Sequence, residues 1–143
     1  MDAFLVRSME DFSSDHRHAV IGQALSLLVG RRNHLLPFEE VSKKLQLGGP
    51  AYRGLQTVRI SSIVGSLSRH QEFDTGFRPI RSHTYDRWVR ISEMSYQGKL
   101  LPPVQLNKVG ALYFVADGNH RVSVARHQGQ EFIDAEVCEY SPR

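Results

Sequence analysis

Residues 113–130 read YFVADGNHRVSVARHQGQ, and this stretch decides the fold. An apolar run of strand character, Tyr113, Phe114, Val115 and Ala116, stops at Asp117-Gly118. A polar trio, Asn119, His120 and Arg121, then opens a helical pattern that Gly129 closes. A strand that passes through glycine straight into a helix leaves the first backbone N–H groups of that helix unpaired and pointing out of its end. With the positive end of the helix dipole they form an anion site, and phosphate is its usual occupant. Gly118 lets a ligand approach the backbone closely. Arg121 adds a planar, permanently charged fork suited to phosphate oxygens, and His120 can donate a hydrogen bond or carry a proton. The plainer reading makes Asp117 or Asn119 the N-cap and pairs Arg121 with a carboxylate such as Asp134 or Glu136.

In the helix itself, Val122 and Ala125 lie one turn apart and should face the core, while His120, Ser123 and His127 form a polar stripe. His120 and His127 are two turns apart, on the order of 10 Å along the axis, too far to share a metal ion. His16 and His18 diverge on a predicted helix. Local spacing therefore offers no metal site.

Working outward, residues 102–118 (PPVQLNKVGALYFVADG) read as a β-hairpin turning near Val109-Gly110. Residues 131–140 read as a closing strand with Ile133, Ala135 and Val137 on one face. Residues 85–99 form a helix with Trp88, Ile91 and Ser95 on one side and Gly98 as its C′ residue. Residues 55–66 (LQTVRISSIVGS) give a strand leading into a turn, with Val58 and Ile60 alternating before Ile63 and Val64. Residues 69–82 are rich in charge, Gly and Pro and read as a loop, in which 72–79 is either a lid over the site or a plain connector.

The N-terminal part is helical in pattern. Ser13 and Ser14 are expected N-caps, and Ala24, Leu25, Leu27 and Leu28 supply an apolar face ending at Gly30. Pro37 suits the first turn of a second helix with Phe38, Val41 and Leu45 at helical spacing. The expectation is an α+β fold divided into a helical hairpin over residues 1–50, packed on the core, and a small mixed sheet with flanking helices over 51–143. The hairpin is either a cap on the domain or a nucleic-acid-binding unit in which Arg31, Arg32, Lys43 and Lys44 track phosphates. Arg31 and Arg32 also suit the helix C-terminal dipole with no partner at all.

At 143 residues the chain is long enough for one well-formed core. Its net charge of +3 fits a phosphate-bearing partner but falls short of a nucleic-acid signature. Cys138 stands alone, which rules out an internal disulfide and a cysteine-based zinc site. The start, MDAFLVRSMEDF, has no long apolar region of the secretory kind, and the apolar segment 19–29 is interrupted by Gly22, Gln23 and Ser26. A cytoplasmic protein with no membrane partner is expected.

Residues 101–137 resemble the N-terminal domain of the ParB/sulfiredoxin superfamily. The resemblance rests on Pro103-Val104, the hairpin, Asp117-Gly118-Asn119-His120-Arg121, Ala125 and Gly129, and residues 58–69 are similar to that family's first strand and its Arg-bearing loop. It implies a ParB/sulfiredoxin-like fold from about residue 55 to 140. In ParB proteins the equivalent turn faces the phosphates of bound cytidine triphosphate, which maps onto Gly118, Asn119, His120 and Arg121; His120 stands in place of the first Arg of that motif. In sulfiredoxins the turn carries the reactive Cys where this chain has Asn119, and an amide cannot be that nucleophile, so the resemblance does not imply sulfiredoxin activity. Free-serine kinases of the same superfamily hold an adenine nucleotide at such a turn and use a distant Glu, for which Glu72 is the candidate. ParB-like nucleases would need clustered carboxylates, and Asp74, Asp86 and Asp117 are the candidates.

The resulting expectation is a nucleotide- or phosphate-binding protein, regulatory or linked to DNA transactions. Gly118, Asn119, His120, Arg121 and Arg69 would hold the ligand, a nucleoside triphosphate such as CTP or ATP with Mg. Two alternatives stand beside it. One is an enzyme of phosphoryl transfer or phosphodiester hydrolysis with His120 and Asp117 as catalytic groups, and the other is a DNA-binding protein using the basic N-terminal helices.

Overall fold

A computed structural model of the chain describes residues 2–143. The elements run α1 (Ala3–Val29), β1 (Leu36–Pro37), α2 (Phe38–Leu45), β2 (Ala51–Arg59), β3 (Ile63–Ser66), α3 (Tyr85–Tyr96), β4 (Val104–Val109), β5 (Leu112–Asp117), α4 (Asn119–His127) and β6 (Phe132–Glu139), with short 3₁₀ turns before β3 and α3. Six strands form one mixed sheet in the order β1-β3-β5-β4-β6-β2. The expected hairpin is β4–β5, closed at Val109↔Leu112 with Gly110 at φ 60°. The closing strand β6 enters the sheet interior, parallel to β4 on one side and antiparallel to β2 on the other. Near its start β2 is bulged between Tyr52 and Gly54. The α+β expectation, with a mixed sheet and flanking helices, holds.

The apolar alternation of the strands becomes one core face. Val104, Leu106, Val115, Ala135 and Val137 of the sheet meet Val122 and Ala125 of α4, together with Leu35, Phe73 and Phe77 from connecting segments. On its other side α4 gives Val124 to a second cluster with Phe12 of α1 and Trp88 and Val89 of α3. A short helix with six buried residues is therefore the middle layer, between the sheet and the α1–α3 pair. The segment before residue 51 adds Leu35 to the main core and β1 to the sheet edge, where it runs parallel to β3.

Three local expectations change. The first helix starts ten residues before Ser13, because Asp2 caps it: the Asp2 Oδ1 accepts from the Phe4 N–H at 3.0 Å. Leu5, Met9 and Phe12 then keep helical spacing onto α3, and Ser13 and Ser14 sit inside the helix. The second change concerns the face of Ala24, Leu25, Leu27 and Leu28, which points to solvent. The third is the segment 72–79, which is neither lid nor plain connector. Phe73 and Phe77 are fully buried, and the nearly buried Asp74 carboxylate accepts from the N–H groups of Gly76 at 2.9 Å and Arg78 at 2.8 Å. Those bonds hold Phe77 at φ 61°, a conformation a bulky residue keeps only when its surroundings impose it. Two aromatics in a charged stretch turn the loop inward. No helix among the described residues is long and apolar enough to cross a membrane.

Candidate functional site

The strand-to-helix turn opens into a cleft of about 340 Å³. Residues 116–121 form its base, Ser68 and Arg69 from the segment after β3 form one wall, and Arg87 and Ile91 of α3 form the other. Gly118 is the N-cap of α4 at φ 109°, and a Cβ there would meet Val104 Cγ1 at 2.6 Å, so this position needs glycine on two counts. No side chain caps α4, contrary to the reading of Asp117 or Asn119 as its N-cap. Asn119 is buried, and its Oδ1 has no hydrogen-bond partner among the described residues.

The structure brings Arg69, Gly118, Asn119, His120 and Arg121 to one cleft, as their grouping in the sequence reading requires. Arg121, however, is already engaged. Its Nη1 donates to the carbonyls of Pro102 at 2.8 Å and Pro103 at 3.1 Å, and its Nη2 pairs with Asp117 Oδ2 at 2.9 Å. Its carboxylate partner is thus four residues back, neither Asp134 nor Glu136. The guanidinium clips the approach to β4 onto the turn, and Asp117 is the exposed half of that ion pair.

His120 is buried and presents its ring to Phe73 in an edge-on contact, centroids 5.5 Å apart. Burial, aided by the positive charges of Arg87 and Arg69, lowers its pKa to about 4. At neutral pH it is an uncharged imidazole. Arg69 shares its charge with Glu72 at 2.9 Å, and Glu72 also meets His83 at 2.6 Å. Arg87 has no carboxylate at ion-pair distance among the described residues. The sequence reading missed Arg87. The available signal was helical phase: Arg87 and Ile91 lie at i, i+4 on the cleft side of α3, whereas Trp88, Val89 and Ser92 are buried.

Other candidates lie elsewhere. Lys43 and Lys44 pair with Glu39 and Glu40 one turn back on α2, Arg32 lies 3.9 Å from Glu40, and neither they nor Arg31 line the cleft. The three carboxylates weighed for a nuclease do not converge. Asp74 is committed to its own loop, Asp86 borders a separate hollow beside Leu5 and Tyr85, and only Asp117 reaches the cleft. Among the described residues no three or more His, Cys, Asp and Glu side chains gather as a metal site would need.

The polar stripe of α4 is interior. Ser123 accepts from Trp88 Nε1 at 2.8 Å and donates to the Phe77 carbonyl. His127 Nδ1 lies 2.7 Å from Asp15 and its Nε2 3.4 Å from Asp11, whose other oxygen takes the Tyr96 hydroxyl. The hydrogen bond to Asp15 raises the His127 pKa against the opposing effect of burial. A folded-state pKa above the unfolded ~6.5 adds stability that is complete below the unfolded value and disappears as pH rises through the folded one. Above about pH 7 His120 is neutral whether folded or not, so it does not mask this change. Melting temperature should therefore fall as pH rises above about 7 in the wild-type chain, and fall less in Asp15→Asn. Thermal melts of both proteins across that range check it, and equal slopes would refute the assignment.

No protein-family model matches the chain, and none of the curated proteins is similar to it. Among solved structures, sulfiredoxin from Arabidopsis thaliana matches at 17% identity with a TM-score of 0.46, over 61% of this chain and 86% of that one.

Proposed function

We propose that this chain binds a phosphate-bearing ligand, a nucleotide foremost, in the cleft at the start of α4. One observation carries the reading: the uncapped N–H groups at residues 119–121 open onto the same cleft as Arg69 and the unpaired Arg87. Helix dipole, free donors and two guanidinium groups then act on one anion from three elements. The roles differ from those in the sequence reading. Arg87 and Arg69 neutralise charge, while Arg121 holds the turn in shape. His120, neutral at physiological pH, acts as a hydrogen-bonding wall; as a weak base it does little for proton transfer. Asp117 keeps Arg121 in place, so neither residue is assigned a catalytic role. The likeness of the Asp-Gly-Asn-His-Arg turn to that of ParB proteins supports a regulatory task, or one linked to DNA transactions, for such binding.

Isothermal titration with CTP, ATP and GTP, each with magnesium, tests the proposal. At least one should bind at millimolar concentration or below, and Arg87→Ala should weaken it about tenfold or more, the worth of a charge-assisted contact. No heat from any of the three, or binding unaffected by Arg87→Ala, would refute it.

A further inference from the structure

The last third of α1 is built inside out. From Ala19 onward the residues turned toward the protein are Ala19, Gly22, Gln23 and Ser26, small or polar. Gln23 donates to the Asn33 carbonyl, and a Cβ on Gly22 would lie 3.0 Å from the Asn33 amide, so the returning segment packs on this side. Every large apolar residue of the same stretch faces solvent: Val20 and Ile21 about half exposed, Leu25 57%, Leu27 85%, Leu28 83% and Val29 68%. With Ala24 they cover an unbroken arc of roughly 200° at 100° per residue. Ordinary amphipathic helices turn such an arc to the core. Here the core stops at Ala19, and the helix continues past it.

We propose that this arc is the interface between two copies of the chain. The area favours that occupant. The six side chains leave roughly 700 Å² of apolar surface per copy, above the few hundred Å² a monomer ordinarily exposes. That is close to the ~800 Å² per partner of a stable interface. The arc also suits a two-fold axis, which lays one patch against itself. Between Arg17 and Arg31 the sequence carries no Asp, Glu, Lys or Arg, so self-pairing brings no like charges face to face in its middle. Ala24, near the centre, lets the two helices approach closely. An acidic partner, by contrast, would find no cation within the arc to meet it.

Sedimentation equilibrium on the full chain, from micromolar to about 100 µM, provides the test. The wild-type protein should be a dimer whose melting temperature rises with concentration. The double variant Leu25→Glu/Leu28→Glu should be monomeric at the same concentrations, with an unchanged far-ultraviolet circular dichroism spectrum because both side chains are outside the core. Leu28→Ala, a milder change, should weaken association at least threefold. A monomeric wild-type chain would overturn the proposal, as would a double variant that folds and associates as before. A wild-type monomer that sediments with anionic phospholipid vesicles would reassign the arc to a lipid surface.

Discussion

Replacing Trp88 with alanine is expected to destabilise the fold by about 3–5 kcal/mol. Trp88 is completely buried and is the hub on which three helices meet. Its ring meets Phe12 of α1 at 5.6 Å and His127 of α4 at 5.7 Å, both edge-on, and its Nε1 donates to Ser123. Truncation removes both aromatic contacts and leaves a cavity among the side chains of Phe12, Val124 and His127. Against a total stability of ~5–15 kcal/mol for an ordinary domain, the loss is a large fraction. Urea unfolding followed by circular dichroism measures it, since the variant has no tryptophan left to report. Trp88→Phe keeps a six-membered ring in the core but loses the five-membered ring with its N–H donor to Ser123, so a smaller cost of about 1–3 kcal/mol is expected. Equal costs for the two variants would mean that packing is not what Trp88 contributes.

Gly65→Ala should be comparably severe, for a different reason. Gly65 sits in β3 between β1 and β5, at the register shift that follows Ile63↔Tyr113. A Cβ there would overlap the Leu36 carbonyl oxygen on one side and the Phe114 ring on the other. The ring could rotate, but the carbonyl belongs to the backbone of β1 and could move only by opening the β1–β3 pairing. A loss of at least ~2–3 kcal/mol is expected, the scale of overpacking a closed core. Hydrogen exchange should show Leu36 and Ser66 losing protection first. Unchanged protection there, with normal stability, would contradict the close packing. Gly49→Ala is the matching control, because a Cβ there meets nothing within 4 Å.

The sequence was most readable where local chemistry and tertiary structure agree. Asp117-Gly118 ends a strand and starts a helix because glycine alone tolerates both the torsion and the approach of Val104. Val109-Gly110 closes a hairpin through the same backbone freedom. Legibility failed where burial contradicted composition. Leu25, Leu27 and Leu28 have the spacing of a core face, yet none of the described residues covers them. Phe73 and Phe77 stand in a charged, glycine-bearing stretch, yet both are fully buried. The site was half readable. The turn itself was plain, but Arg87 joins it only because α3 packs across α4. Arg121 is drawn away by two proline carbonyls that no spacing rule relates to it.

The position of β6 has a consequence for the order of events during synthesis. Among the described residues strand β2 pairs with β6 and with no other strand, along nearly its whole length, and the two are separated by more than seventy residues of chain. At ~5–20 residues per second, β2 leaves the ribosome several seconds before its partner is made. During that interval its hydrogen-bonding edges are open, and the β4–β5 hairpin, complete within fourteen residues, can form ahead of it. Strand β6 closes two gaps in one step, joining β4 to β2, so these strands form one continuous sheet only once it has been delivered.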